Sequence, residues 1–449
     1  MKRTTVLLVV AVIALVAGAG WWATRPPDGA WSTDDRAALA AFHEGMRLQE
    51  SFYHLEAAEQ FRAALARDPD FVAARLQLGN ALSTLGQKEA AAAEKKLALA
   101  ADGTKLAGQE LVMWEIARLS AERRSDEIPA TLERFAALYP EDVYTARTLA
   151  AYYAKRREGD LAVKWYQRTL ELAPNDGPSY NMLGYIEMTR GNFTAAEANL
   201  RRYSFIAADQ ANPHDSLGEL YTMIGRWDEA EQEFRRALEI NPRFYPALEH
   251  LSRLAALRGD GDTAARYVAQ AAEVTGMAGE QLAGLQAAAR GWAALSRGDN
   301  AALRAAVADP SLPARDLDLA LLRVVAAARN GDPAGARAAW QANRKLWPGI
   351  EEKGSGPPRA MFALMETVVL LAEARAGEAV ELATQIDGQL SYNADGGEGI
   401  LKLTVRMFKV EALAASGRTA DAHALLAEVE AISPGFPPAV AARAALGKG

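Results

Sequence analysis

From Val143 to Gly276 the chain carries an alanine every 34 residues, at Ala162, Ala196, Ala230 and Ala264, with no slip of register. A fixed period of this length belongs to chains built from one supersecondary unit that buries its apolar face only by stacking on the next. The unit is stated most fully from Ala211 to Arg243, ANPHDSLGELYTMIGRWDEAEQEFRRALEINPR. Leu217, Tyr221, Phe234 and Leu238 recur at helical spacing and give each of two helices an apolar stripe. Gly218 and Ala230 are small, as two helices packed about 8–10 Å apart require. Gly225 ends the first helix, Asp228 suits the start of the second, and Pro242 follows its end.

With Ala211 as the first of 34 positions, Leu217 and Gly218 stand at seven and eight, Tyr221 at eleven and Gly225 at fifteen. Ala230, Phe234, Ala237 and Pro242 follow at twenty, twenty-four, twenty-seven and thirty-two, and in all eight the stretch resembles a tetratricopeptide repeat. The resemblance implies an all-α fold, an α-solenoid of tetratricopeptide-type helical hairpins wound into a right-handed superhelix. Weaker copies extend it in both directions. The first unit has Gly45, Ala57, Phe61, Ala64 and Pro69, and the second has Leu78, Gly79, Leu82, Gly86, Ala91 and Ala98. The third puts Ile116 where a small residue belongs and Pro129 where its second helix would run, so that helix is expected to begin at Pro129. Seven such hairpins fill residues 34–276, with Ser32 or Thr33 as the expected first cap. Residues 277–449 keep the helical pattern in degenerate form, with hairpins around Gly298, Gly331, Gly377 and Gly417 and a capping helix from Pro437 to Leu446.

Ahead of the repeats, Lys2 and Arg3 precede an apolar run with no charge between Thr5 and Arg25. Residues 1–24 therefore read as a single transmembrane signal anchor crossing the membrane through residues 6–23, with Trp21 and Trp22 at the far interface. The alternative is a cleaved signal peptide whose small residues Ala17, Gly18 and Ala19 meet a signal peptidase. Residues 25–33, with Pro26, Pro27 and Gly29, form a Pro-rich linker. The expected location is a bacterial inner membrane, single-pass with the repeats in the periplasm, or a soluble periplasmic protein after cleavage.

The rest of the chemistry consists of exclusions. A net charge of −7 over 449 residues gives no basic groove for nucleic acid. The absence of cysteine removes disulfides, thiolate metal sites and cysteine nucleophiles. His43, His54, His214, His250 and His423 show no metal-ligand spacing along a helix, and no P-loop, Rossmann, GxSxG or HExxH motif occurs. Acidic pairs such as Asp228-Glu229 and Glu231 with Glu233 face water at helical spacing. The expectation is no enzyme, no catalytic residue, no metal, no cofactor and no small-molecule substrate.

In the family that the repeats resemble, positions two, five, nine and twelve of each first helix line the concave face. They fall here on Tyr144 and Arg147 in the fourth unit, Asn181, Tyr185 and Met188 in the fifth, and Asp215, Glu219 and Thr222 in the sixth. The resemblance implies a protein or peptide partner along these residues. The expected function is a non-enzymatic scaffold of the bacterial cell envelope, holding a partner segment while an envelope complex assembles. An enzyme or enzyme accessory subunit with a pocket in residues 277–449 is the alternative.

Overall fold

The computed structural model describes residues 31–354, 356–393 and 397–447, and among them every regular element is a helix. The expected anchor or signal segment lies outside the described residues. Among the described residues no helix is long and apolar enough to cross a membrane. The chain divides into two compact units after Ser179. In the first, helices pair as hairpins: Arg36–Glu50 with His54–Arg67, Val72–Thr84 with Lys88–Leu99, Gly108–Ala121 with Ile128–Leu138, and Val143–Lys155 with Gly159–Leu172. Phe42, Phe61, Phe71, Leu78 and Leu82 fill its core. In the second unit the pairs Ala211–Met223 with Trp227–Ile240 and Tyr245–Leu257 with Gly261–Thr275 lead without a further division into residues 277–447, whose core holds Leu322, Val325, Trp340, Phe362 and Phe408.

The hairpins close at their small residues. A methyl group added to Gly218 would lie 2.5 Å from the Phe234 ring, and one on Gly45 would lie 2.6 Å from Phe61. Both pairs join position eight of a first helix to position twenty-four of the second. The ring occupies the room that the missing side chain leaves, so neither partner has space to grow.

At position fifteen the chain must turn with a positive φ. Gly225 does so at φ 74°, and the carbonyl oxygen of Pro434 would lie 2.5 Å from any Cβ there. The first, third and fourth units place Phe52, Arg123 and Arg157 at the same position, with φ of 63°, 60° and 60°. A side chain in this region costs about 1–2 kcal/mol. These units keep the turn because stacking on their neighbours imposes it. Ala374, at φ 60°, is the left-handed residue of the hairpin expected around Gly377, which instead sits inside the helix Ala376–Asp387.

Two local details differ from the sequence expectation at the start of the first unit. Asp35, rather than Ser32 or Thr33, caps Arg36–Glu50 by accepting the Ala37 and Ala38 N–H groups. Ser32 is drawn off to the buried Glu110, whose carboxylate accepts the Ser32 N–H at 2.5 Å, the Ser32 hydroxyl at 2.9 Å and the Ala73 N–H at 2.8 Å. Burial pushes the Glu110 pKa up while these donors oppose it. In the third unit Pro129 lies in the first turn of Ile128–Leu138, where its missing N–H costs nothing.

In the second unit the carboxy-terminal helices fold back on the repeats. Gly399 abuts Met223, the Tyr392 ring meets the edge of Phe193 at 5.8 Å, and Pro437–Leu446 packs against Gly279–Arg297. Asp387 ties this region together by pairing with Lys402 at 2.8 Å and Arg406 at 3.0 Å. Burial alone would raise the Asp387 pKa, but the two cations outweigh it and hold it below the usual carboxylate range.

Four substitutions test this packing. Gly218→Leu should destabilise the protein by about 1–3 kcal/mol in a denaturant titration. Glu231→Leu, which loses only its exposed pairs with Arg235 and Arg258, should cost less than about 1 kcal/mol. Arg157→Gly should stabilise by about 0.5–1 kcal/mol, since relief of the left-handed strain exceeds the entropy glycine loses. The fourth concerns acid. Asp387 binds its proton less readily folded than unfolded, so the stability it supplies is complete above the ordinary carboxylate pKa and disappears as pH falls through the lower folded value. The melting temperature of Asp387→Asn should therefore be lower than wild type at neutral pH, and the gap should narrow as pH falls from about 5 to 2.

Candidate partner-binding face

The residues expected to line a partner groove lie on first helices of the hairpins, and each unit arranges them differently. In the first unit, Tyr144 and Arg147 come one turn apart on Val143–Lys155. Arg147 pairs with Asp176 at 2.7 Å and with Glu50, and these two acids outweigh burial and raise its pKa. Burial pushes the Tyr144 hydroxyl up to about 12. Beside them Gln49 donates to Gln77 at 3.0 Å, and Asn80 donates to the same oxygen at 3.2 Å. This part of the face is a chain of paired amides and charges, in which the buried carboxamide oxygen of Gln49 has no hydrogen-bond partner among the described residues.

In the second unit the remaining residues are recessed. Asn181, Asp215, Glu219 and Thr222 are each at most 6% exposed and Met188 is fully buried. Helical periodicity explains their alignment: Asn181, Tyr185 and Met188 share one face of Gly177–Thr189, as Asp215, Glu219 and Thr222 share one face of Ala211–Met223. The neighbouring helix Tyr245–Leu257 adds His250 and Arg253 on the corresponding side. Tyr185 donates its hydroxyl to Glu219 and lies 3.2 Å from the Ser216 hydroxyl. His250 Nδ1 meets Asp215 Oδ1 at 2.9 Å, and its Nε2 lies 3.2 Å from Glu219 Oε1. The Phe234 ring flanks the imidazole at 5.3 Å. Burial would lower the His250 pKa, but the two carboxylates override it and raise it to about 10.

Three consecutive hairpins thus contribute polar groups to a single cluster: Tyr185 from the fifth, Asp215 and Glu219 from the sixth, and His250 from the seventh. Thr222 stands at its edge, donating to the Gly218 carbonyl at 2.8 Å. A cavity of about 20 Å³ adjoins it, lined by Glu219, Thr222, Met223, Phe234, His250, Arg253 and Ile400. Ile400 and Gly399 belong to Glu398–Ala415, so the chain's own carboxy-terminal region covers this stretch of the first-helix face. Asn181 and Met188 lie on the same helical face as Tyr185, and the carboxamide oxygen of Asn181 has no hydrogen-bond partner among the described residues.

His250 is the functional-looking residue that sequence reasoning passed over. Spacing along one helix cannot show it, because its partners are one hairpin away: Asp215 is 35 residues distant, and Tyr185 and Glu219 are separated by 34. Polar residues repeating at about one period would have been the available signal. The acidic pairs on second helices are committed elsewhere, Asp228 and Glu231 to Arg258, Glu229 to Arg226, and Glu233 to His214 at 2.6 Å.

Family models of the tetratricopeptide repeat match residues 54–104 and 211–244. Anaphase-promoting complex subunit 3 of Schizosaccharomyces pombe is 29% identical over 94 residues, 21% of this chain and 14% of that protein. The general transcriptional corepressor ssn6 of the same organism is 25% identical over 107 residues, 23% of this chain and 10% of its own. The matches therefore span about a seventh or less of these curated relatives. Among solved structures, the APC/C hetero-tetramer Cut9-Hcn1 covers 92% of this chain and 86% of its own at 16% identity, with a TM-score of 0.39. Pseudomonas aeruginosa pilF covers 46% of this chain and 92% of its own at 16% identity, with a TM-score of 0.35. Residues 54–104 and 211–244 of this chain are tetratricopeptide repeats.

Proposed function

We propose that the protein is a non-enzymatic scaffold of the bacterial cell envelope that holds a segment of a partner protein while an envelope complex assembles. The observation that carries this reading is the run of stacked hairpins with tetratricopeptide repeats at residues 54–104 and 211–244. Stacked hairpins expose long helical faces to which a partner segment can bind, and such repeats act in protein–protein interaction. The uncharged run before Arg25 supports attachment to, or export across, the inner membrane.

On this reading the partner reads the first-helix face, and the two units offer it on different terms. Tyr144 and Arg147 are half-buried and within reach of a docking chain. Asn181, Met188, Asp215, Glu219 and Thr222 are buried and Tyr185 is half-buried, and Ile400 lines the cavity beside Glu219 and Thr222, so a partner reaching that part of the face meets an energetic cost of opening.

A photo-crosslinking amino acid placed at Tyr144 should yield a discrete adduct in whole cells, whereas one at Arg236 on a second helix should not. Equal crosslinking from both positions removes the first-helix face from consideration. Membrane attachment is read from the mature amino terminus by mass spectrometry: residues 1–24 should be retained in the membrane fraction, and a terminus at Gly20 in the soluble fraction makes the segment a cleaved signal.

A further inference from the structure

The first-helix face of the second unit continues past the Tyr185 cluster. Ala211–Met223 packs on Tyr245–Leu257, which packs on Gly279–Arg297, which packs on Leu317–Arg329. Across these helices the charges that act on one another are the carboxylates of Asp215, Glu219, Glu249 and Asp318 and the cations His250 and Arg253, and Asp316 adds its charge beside Asp318. Negative charge is therefore in excess. Asp215 and Glu219 are paired with His250, and Asp316 accepts the Leu319 N–H as a helix cap. Neither Glu249 nor Arg253 has an ion pair among the described residues, although they stand one turn apart on Tyr245–Leu257.

Two of these carboxylates stand beside aromatic rings. Tyr245 lies one turn before Glu249 on the same helix, and burial and the Glu249 charge raise the pKa of its hydroxyl. The Trp292 indole donates to Asp318 at 2.7 Å. Tyr245, Trp292 and Asp318 are half-buried and Glu249 is exposed, yet the surrounding protein pushes the pKa values of both acids up, as in a recess open to solvent. A carboxylate next to a ring suits both parts of a Lys or Arg side chain, the acid taking the charge and the ring taking the stem or the face of the cation. Asn181 supplies an independent sign of a missing donor. It holds position five of its hairpin, as Asp215 and Glu249 do of theirs, is 2% exposed, and its carboxamide oxygen accepts no hydrogen bond among the described residues.

We propose that the partner segment is basic, and that the Glu249–Tyr245 and Asp318–Trp292 pairs each hold one of its Lys or Arg side chains. The proposal rests on the scaffold reading above, in which a partner segment lies along the first-helix face. Gly279–Arg297 lies between the helices that carry Glu249 and Asp318, so two steps of about 8–10 Å separate the pairs. About five or six residues of extended chain cover that span. The Arg253 charge acts on both Glu249 and Asp318, so it opposes a bound cation and limits affinity. An acidic segment meets like charge along the whole stretch and is excluded.

The test probes the full-length protein against an array of short Ser/Ala peptides that carry two Lys, from adjacent to about eight residues apart, with a second set carrying Glu instead. Binding should be strongest at a separation of about five or six residues, weaken as NaCl rises from about 50 to about 300 mM, and be missing from the Glu set. Glu249→Gln and Asp318→Asn should each reduce binding of the best peptide about three- to tenfold, and the second keeps an acceptor for Trp292. Arg253→Gln should increase binding several-fold, an effect that loss of folding cannot give. Glu239→Gln, on the second helix Trp227–Ile240, should leave it unchanged. Wild-type binding that ignores the separation of the lysines, or that is equal for the Lys and Glu sets, overturns the proposal, as does unchanged binding by a folded variant carrying both Glu249→Gln and Asp318→Asn. Each of these results leaves the scaffold reading to the Tyr144 crosslink, which does not involve these residues.

Discussion

The fold rests on the close approach of two helices at a residue with no side chain. Where Gly218 faces Phe234, the ring lies where a Cβ would have to be, and the same holds between Gly45 and Phe61. This contact sets the distance between the helices of a hairpin, and that distance determines which residues of the next hairpin can stack on it. Gly184 and Leu200 show that the large partner need not be aromatic: a methyl group on Gly184 would lie 2.6 Å from the leucine. What matters is volume opposite absence.

The hairpins were legible from the sequence because this contact demands particular residue types at a fixed separation. Glycine, alanine and large apolar residues recurring every 34 positions leave few other folds. The degenerate units were legible for the opposite reason. Phe52, Arg123 and Arg157 break the glycine rule at the turn, yet the chain still adopts the left-handed conformation there. Backbone strain at one residue is small beside the apolar surface that a misplaced hairpin would leave exposed. Local rules failed where a long-range contact competed for the same group. Ser32 satisfies the cap preference but goes to Glu110, because a buried carboxylate without donors costs more than an uncapped helix, and Asp35 was available to cap.

The first-helix face was legible by position but not by state. Tyr185, Asp215, Glu219 and Thr222 fall on one side of their helices as the repeat register requires. The cavity beside Glu219 and Thr222 is lined by Ile400, and Gly399 meets Met223, contacts from far along the chain that lie beyond what a periodic pattern can encode. The segment that carries them has no repeat signature of its own. A Cβ at 399 would lie 2.6 Å from Met223 Sδ and 3.1 Å from the carbonyl oxygens of Tyr392 and Asn393, so glycine fits closely here even though the sequence around it reads only as a turn.

Burial changes what polar residues on such a face can do. Exposed on a helix surface, Asp215 and Glu219 would be solvated acids contributing little beyond solubility. Buried as they are, they cannot remain uncompensated, because an unpaired buried carboxylate costs several kcal/mol. His250 supplies the compensation from the next hairpin and Tyr185 adds a donor from the preceding one. The repeat makes this possible: groups at matching positions of successive first helices come side by side, so a cluster can be assembled from residues 31 to 35 apart that share no local motif. A solenoid can therefore build a site across hairpins without altering the residues that hold each hairpin closed.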